Sequence, residues 1–327
     1  MNITYSNING NTHQGIRDNN EDYIIFNKDS RFIVLCDGMG GHGHGEVASK
    51  AVAESVFEYL NSLQKTDYQR DDLQNALNTA VDKLKEVDTF NDEKAMGTTI
   101  VVVVVTNDNL LIGHVGDSRA YLFDENGDKI FRTKDHSKVQ EAVDAEILTE
   151  EEAFSNPRKN ILTRCVMSGK ECPEIEVQEV EVGNGYRLML CSDGVTDALR
   201  DSEIQAIISN KNIDDALQAI DSECQAKSHD NYSVIIADFA KEIQAPPPPP
   251  PPEAPKPHTE MCENSDCIVI PKRTIPYILI GVVMLLILSF CLGYCSKKCS
   301  DTEQQKTEEP QPTNVEQDSI PNSETPQ

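Results

Sequence analysis

Up to about residue 240 the chain consists mainly of short apolar runs and of segments with apolar residues at helical spacing. This pattern predicts a mixture of strands and helices. The runs are short, and several are rich in β-branched residues, as strands are. One of them, residues 174–182, alternates apolar and polar positions as a half-exposed strand does. The predicted strands are residues 22–27, 31–37, 98–106, 109–115, 119–123, 174–182, 187–192 and 232–239.

Two longer segments, residues 46–63 and 71–87, place apolar residues on one face at helical spacing. A further pair of helices is predicted at residues 202–209 and 213–226. Most predicted strands follow one another without a helix between them, which favours antiparallel pairing. We therefore expect an α+β domain over residues 1–242, with helices packed outside largely antiparallel sheets.

The pattern changes after this domain. Residues 243–274 include seven consecutive prolines, which favour an extended, semi-rigid linker, or alternatively a ligand for SH3-type domains. Residues 275–294 carry no charge and are long enough to cross a membrane once, with basic residues on both flanks. Residues 295–327 are polar and acidic, which predicts a disordered tail.

The net charge bears on the kind of partner the protein binds, and the cysteines bear on the compartment in which it lies. The 327 residues carry a formal charge of −26, which opposes binding to nucleic acid. The cysteines of the domain lack pairable spacing, as in a reducing compartment, and the N-terminus resembles no secretory signal. We expect a single-pass protein of the cell membrane with its domain in the cytoplasm and its tail outside.

Four short strings each place an aspartate at the end of an apolar strand, next to glycine or a small polar residue. An aspartate in such a string is most often a turn residue that stabilises its own loop. Four such sites in one domain favour a shared cation, and an all-oxygen ligand set favours Mg²⁺ or Mn²⁺. The four are Asp37, Asp117, Asp193 and Asp230.

A loop at residues 15–22 precedes the first of these strands and contains Arg17. A guanidinium group suits phosphate recognition. The alternative is an ordinary surface ion pair of Arg17 with Asp18 or Glu21.

The order of these strings resembles the bacterial metal-dependent Ser/Thr protein phosphatases of type 2C. The resemblance covers residues from about 3 to 240. It implies a four-layer sandwich with two central antiparallel sheets and helices on both outer faces. The strings are GIRDNNEDY, VLCDGMGGHGHGEVAS, GTTIVVVVV, HVGDSRAYLF, TKDHSKV, NILTRCV, LCSDGVTDAL and HDNYSVIIADF.

The resemblance also assigns roles to the aspartates. It implies two Mn²⁺ or Mg²⁺ ions, with Asp37 bridging both, the carbonyl of Gly38 on one, and Asp193 and Asp230 on the other. Asp117 resembles a residue that shares a third, weaker ion with Asp193. Two ions would supply a hydroxide that attacks phosphorus directly, without a phosphoenzyme.

Three more residues receive roles from the same resemblance. Arg17 matches the phosphate-binding arginine. Glu21, with Asp22 beside it, matches an outer acid that orders water on the metal. Partners would be proteins phosphorylated on serine or threonine and a cognate Ser/Thr kinase.

Two departures from the family pattern concern the leaving group and the substrate. Met39 stands where some members have a histidine that can act as general acid. The acid is therefore expected to be a metal-bound water, with His42 and His44 as the alternatives. Residues 165–169 differ from the usual string in a flap at about residues 137–165, which affects the expected substrate preference. A pseudophosphatase that only binds phosphoproteins, or a membrane scaffold, remains the alternative.

Overall fold

The computed structural model describes residues 2–40, 44–89, 95–107 and 109–242, all within a compact unit that ends at Pro248. The proposed span at residues 275–294, its linker and its tail lie outside the described residues, as does His42. Within the described ranges no helix is both long and apolar enough to cross a membrane.

The strands form two antiparallel sheets. One sheet has the order β1-β12-β11-β7-β8, and the other has the order β10-β6-β5-β3-β4-β9, with β2 paired to β3. The strands are β1 (Asn2–His13), β2 (Asp22–Phe26), β3 (Phe32–Met39), β4 (Gly97–Thr98), β5 (Ile100–Val105), β6 (Asn109–Val115), β7 (Arg119–Phe123), β8 (Lys129–Arg132), β9 (Val166–Met167), β10 (Glu176–Glu181), β11 (Arg187–Cys191) and β12 (Tyr232–Glu242).

The helices lie on the two outer faces or in the segment before β9. All four helices predicted from the sequence are confirmed, with boundaries that differ by one residue in most cases. The helices are α1 (Gly45–Ser62), α2 (Arg70–Val87), α3 (Lys138–Asp144), α4 (Glu150–Phe154), α5 (Asp193–Ala198), α6 (Asp201–Asn210) and α7 (Ile213–Lys227).

Strand alternation explains the layers. In β3, Ile33 and Leu35 face the other sheet, whereas Val34 and Cys36 face α1 and α2. The valine run of β5 divides in the same way, so this strand is buried on both faces. A third apolar cluster joins β7, β11 and β12 to α5, α6 and α7. These three cores give the four-layer sandwich that the sequence predicts.

One predicted strand is divided in two. Residues 98–106 form the end of β4 and then β5, with Thr99 between them. Thr99 leaves the strand pattern because both its backbone N–H and its side chain bond to Asp37. The interruption therefore lies where the candidate site begins.

Candidate metal centre

Three carboxyl groups from different elements meet at one edge of the two sheets. Asp37 lies near the end of β3, Asp117 lies in the turn after β6, and Asp193 is the first residue of α5. Burial and the nearby carboxyl of Asp193 raise the pKa of Asp37 well above its usual range. Burial and the charges of Asp117 and Asp197 do the same to the pKa of Asp193. Such mutual effects show that these groups share one confined space.

Neutral side chains form hydrogen bonds with the backbone of Asp37. Thr98 Oγ1 donates to the carbonyl of Asp37 at 2.8 Å, and Thr99 Oγ1 accepts from its N–H at 3.0 Å. Thr99 Oγ1 also lies 2.8 Å from Ser118 Oγ, next to Asp117 in the chain. The two threonines therefore hold Asp37 and Asp117 in one framework without adding charge.

Two glycines permit close backbone approaches at this edge. A Cβ at Gly38 would lie 2.2 Å from the carbonyl oxygen of Gly45, and a Cβ at Gly194 would lie 2.0 Å from that of Asn231. Any side chain would force these segments apart. The first approach joins the end of β3 to the start of α1, and the second joins α5 to the start of β12. Gly38 thereby comes close to the start of α1, and Asp193 comes close to the 230–231 turn.

Asn231 attaches the loop of residues 14–21 to this turn. Its Nδ2 donates to the carbonyls of Gln14 at 2.7 Å and Asn19 at 2.8 Å. Its Oδ1 accepts from the N–H of Glu21 at 2.9 Å. Because all the polar capacity of this amide goes to one loop, Asn231 sets where Arg17 and Glu21 lie.

Arg17 forms an ion pair, but with neither of the acids considered from the sequence. Its Nη2 lies 2.5 Å from Asp230 Oδ2, and its Nε donates to the carbonyl of His229 at 3.2 Å. The side chain is 56% exposed, whereas that of Asp230 is 25% exposed. Arg17 therefore stands at the rim of the site, with part of its guanidinium directed at a predicted metal ligand.

Glu21 and Asp22 are adjacent in the chain but have different surroundings. Burial and the charge of Glu46 raise the pKa of Glu21, which lies against Gly45. Asp22 pairs with Asp37 across β2 and β3, and its Oδ2 accepts from Ser192 Oγ at 2.7 Å. Burial raises the pKa of Asp22 to about 6, and its buried Oδ1 has no partner among the described residues.

Asp197 is a neighbour of the site that the sequence did not single out. It lies one helical turn after Asp193, and its charge contributes to the raised pKa values of both Asp193 and Asp117. Lys159 Nζ lies 2.6 Å from Asp197, so the segment before β9 contacts the site directly. The signal in the sequence was the i, i+4 spacing of the two aspartates in SDGVTD.

A cavity of about 550 Å³ lies beside these acids. Asp117, Asp193 and Asp197 line one side of it, and residues of α4 and the segment that follows line another. Phe154 from α4 stacks under the guanidinium of Arg200, 4.4 Å from the ring centre. The cavity gives a ligand access to the acids between the helix α5 and the predicted flap.

These acids suit divalent cations. The nearby cations are already paired with other acids, namely Arg17 with Asp230, Arg119 with Asp135, and Lys159 with Asp197. No lysine or arginine in the described part of the chain pairs with Asp37, Asp117 or Asp193. Clustered carboxylates without a counter-charge are costly, and hard divalent ions prefer oxygen ligands. The orphaned oxygen of Asp22 adds an acceptor at the same place.

The described residues locate only some of the candidates for protonating the leaving group. His44 directly precedes α1 and makes no side-chain cap to that helix, and His42 lies outside the described residues. Met39 ends β3 and offers no proton. Asn231, Thr98 and Thr99 complete the support of the site, although no sequence pattern assigned them an individual role.

Comparison with known proteins identifies the family. A sequence profile described as Protein phosphatase 2C matches residues 9–231, and the chain belongs to this family. The serine/threonine protein phosphatase PstP of Mycobacterium tuberculosis is 32% identical over 226 residues, which are 68% of this chain and 43% of that protein. The chain thus matches less than half the length of that relative.

Two further comparisons agree with the fold. A putative protein phosphatase 2C-type protein of Streptococcus pyogenes is 34% identical over 204 residues, covering 60% of this chain and 80% of that one. The crystal structure of the catalytic domain of PstP with two manganese ions superposes with a TM-score of 0.64 at 29% identity. It covers 73% of this chain and 99% of that structure, and the four-layer fold is confirmed.

The crowded carboxyls predict an inverted pH dependence of stability without metal. The pKa of Asp22 is raised to about 6 and that of Asp117 to about 7, so between about pH 4 and 7 the folded protein binds more protons than the unfolded chain. Stability should therefore fall as the pH rises through 6 and 7. We expect a melting temperature roughly 5 °C lower at pH 8 than at pH 5 in chelator, measured by calorimetry.

The variant Asp117→Asn should flatten this dependence, and Mn²⁺ should restore stability at pH 8. Asp29→Asn, at an exposed site, is the matched control and should leave the slope unchanged. Equal slopes in all three proteins would show that the site acids are not the cause.

Proposed function

We propose that this chain is a metal-dependent protein phosphatase that hydrolyses phosphoserine and phosphothreonine in proteins. The observation that carries the proposal is the meeting of Asp37, Asp117 and Asp193 without a protein cation, beside a cavity and with Arg17 on the rim. Membership of the protein phosphatase 2C family supports it. The manganese bound by the PstP catalytic domain supports the choice of metal.

The residues that would hold the metal are those of the carboxylate cluster. Asp37, the carbonyl of Gly38, Asp193 and Asp230 would hold two Mn²⁺ or Mg²⁺ ions, and Asp117 would share a third with Asp193. When bound, such ions neutralise charge on a phosphoryl group and acidify water. Glu21 and Asp22 lie next to these ligands and would accept hydrogen bonds from water around them.

Arg17 would recognise the phosphate itself. Its Nη1 has no partner among the described residues, while Nε and Nη2 are held by His229 and Asp230. A guanidinium held in this way presents its outer edge to a phosphate without a large loss of side-chain entropy. The cavity walls from α4 to Lys159 would contact the protein around the phosphorylated residue.

Replacing a metal-holding aspartate tests the reaction. Asp193→Asn keeps the size of the side chain but removes one of the charges that would bind the ion. We expect the variant to fold and to lose at least about 100-fold in phosphate release from a phosphothreonine peptide in Mn²⁺. Wild-type turnover at saturating Mn²⁺ would contradict the assignment. Wild-type protein that binds the peptide without releasing phosphate would favour the pseudophosphatase.

Replacing Arg17 separates phosphate binding from metal binding. Arg17→Ala should raise KM for the phosphopeptide about tenfold and change kcat much less, because the phosphate is charged in both the ground and transition states. Mn²⁺ affinity should not fall, since the change removes a cation from Asp230. Loss of Mn²⁺ binding with an unchanged KM would instead make Arg17 a structural partner of Asp230.

We also propose that residues 275–294 anchor the protein in the cell membrane with the phosphatase domain in the cytoplasm. The support is the uncharged 20-residue sequence, its basic flanks and the five free cysteines of the described region, which suit a reducing compartment. A cognate Ser/Thr kinase in the same compartment would supply the phosphorylated substrates. Residues 243–274 would then keep the domain close to the membrane surface.

Protease accessibility tests this orientation. Protease added outside intact cells should shorten the protein by the tail at residues 295–327 and leave the domain whole, as read on a blot with an antibody to the domain. Permeabilised cells are the control and should lose both parts. Digestion of the domain in intact cells, with the tail protected, would reverse the topology.

A further inference from the structure

A cluster of buried histidines lies behind the carboxylates, outside the residues given a role above. His114 belongs to β6, and His136 follows β8 in the chain. Both are more than nine-tenths buried. Glu176 of β10 and Arg164, which precedes β9, complete the cluster, and the Glu176 side chain is 37% exposed.

The cluster has the composition of a metal site but not the geometry. One ligand atom from each of His114, His136 and Glu176 lies within 4.8 Å of the other two. The two imidazole rings, however, are stacked with centres 4.5 Å apart and planes 11° from parallel. A metal ion lies in the plane of the imidazole that binds it, and a single ion cannot lie in two stacked planes. The cluster is therefore better explained by its hydrogen bonds.

Those hydrogen bonds define the proton positions on His136. The backbone N–H of Gly116 donates to His136 Nδ1 at 3.1 Å, so this nitrogen carries a lone pair. The proton of the neutral ring is then on Nε2, which donates to Glu176 Oε2 at 3.2 Å. Burial lowers the pKa of His136, which agrees with a neutral ring. Arg164 Nη1, 3.3 Å from Nε2, directs its hydrogen bond to the carbonyl of Glu174.

The ring of His136 is thus restrained at both nitrogens and on one face. Gly116 and Glu176 hold its two nitrogens, and His114 covers one face. His114 is itself held, because its Nε2 donates to the carbonyl of Lys134 at 2.7 Å. A ring restrained in this way transmits a displacement of one partner to the others.

The backbone of His136 connects two parts of the candidate site. Its N–H donates to the carbonyl of Gly116 at 2.9 Å, while its Nδ1 accepts from the N–H of Gly116, so two bonds join His136 to the residue directly before Asp117. Its carbonyl accepts from the N–H of Thr163 at 2.8 Å, at the end of the predicted flap. His136 therefore lies between the turn that carries Asp117 and the segment that lines the cavity.

We propose that His136, oriented by Glu176, is a positioning residue that couples the location of Asp117 to that of the flap segment at residues 137–165. The proposal rests on the proposed phosphatase function, because it concerns the third, weaker metal ion that Asp117 would hold. A change in the flap would then alter the binding of this ion. Loss of the hydrogen bond to Glu176 would weaken both the contact of His136 with Gly116 and its contact with Thr163.

Variants of Glu176 test the coupling without touching a predicted metal ligand. Glu176→Ala removes the acceptor of His136 Nε2, whereas Glu176→Gln keeps an acceptor oxygen at the same place. Glu179→Ala is the matched control, because Glu179 lies on the same strand and bonds only to Asn109 among the described residues. Asn109 begins β6, whereas His114 lies near the other end of that strand.

The first measurement uses hydrogen exchange in metal-free protein. In Glu176→Ala, the amides of Gly116 and Thr163 should exchange faster together, while the core amide of Val102 keeps its rate. Glu176→Gln and Glu179→Ala should match the wild type. Acceleration of only one of the two amides, of all amides equally, or of neither would overturn the proposal.

The second measurement is calorimetric titration with Mn²⁺. Glu176→Ala should lower the Mn²⁺ affinity of the weakest site about tenfold and leave the affinity of the tighter sites unchanged. Tenfold is the lower end of the usual effect of a residue that orients a metal ligand. Unchanged binding at the weakest site would refute the coupling. Failure of the proposed function would appear differently, as wild-type protein that releases no phosphate in Mn²⁺ whatever the exchange rates are.

Discussion

Negative charge confined to one edge of the two sheets is the constraint on which the rest of the domain depends. Asp37 and Asp193 each have a strongly raised pKa because burial removes solvent and the other carboxyls repel them. Ionised carboxylates held this close raise the free energy of the folded state unless a cation or a proton binds to them. A flexible scaffold would relieve the repulsion by moving the groups apart. The domain instead opposes that movement with hydrogen bonds to the backbone of Asp37 and with close backbone approaches at Gly38 and Gly194.

The support of these acids is almost entirely neutral. Thr98 and Thr99 hold the backbone of Asp37, and Asn231 holds the loop that carries Glu21. Hydrogen bonds from neutral groups fix position without satisfying the charge. A lysine in the same place would neutralise a carboxylate and compete with a metal ion. Asp37, Asp117 and Asp193 thus form no ion pair with a lysine or arginine among the described residues, which preserves their affinity for divalent ions.

An element could be predicted from the sequence when its own residues determine its structure, and was missed when a distant partner does. The helix α2 and the strand β5 were predicted because their own residues repeat at the right spacing, and Asp37 and Asp193 because each stands in a strand-end string. The strand β1 was missed because its sequence is rich in asparagine. It pairs along its whole length with β12 through backbone bonds that leave no apolar signature.

The missed contacts of the site are also those between distant parts of the chain. Arg17 pairs with Asp230, 213 residues away, and neighbouring acids gave no hint of that choice. Asn231 bonds to Gln14 across 217 residues, and His136 bonds to Glu176 across 40. A short sequence motif is enough to identify a side chain as a candidate functional residue. The partner that fixes its orientation is set by the packing of layers, which no local pattern encodes.

The floor and the wall of the cavity are held by interactions of different strength. The floor here means the carboxylate cluster beside the cavity, in which Asp37 is held by a buried strand and by neutral hydrogen bonds. The wall at α4 is joined to α6 by the exposed pair of Glu151 with Arg200, and such pairs contribute little and weaken with salt. The chemistry of the floor can therefore stay constant while the wall varies. In the proposed phosphatase, discrimination between protein substrates would then depend on the segment from α3 to β9, where the sequence also departs from the family pattern.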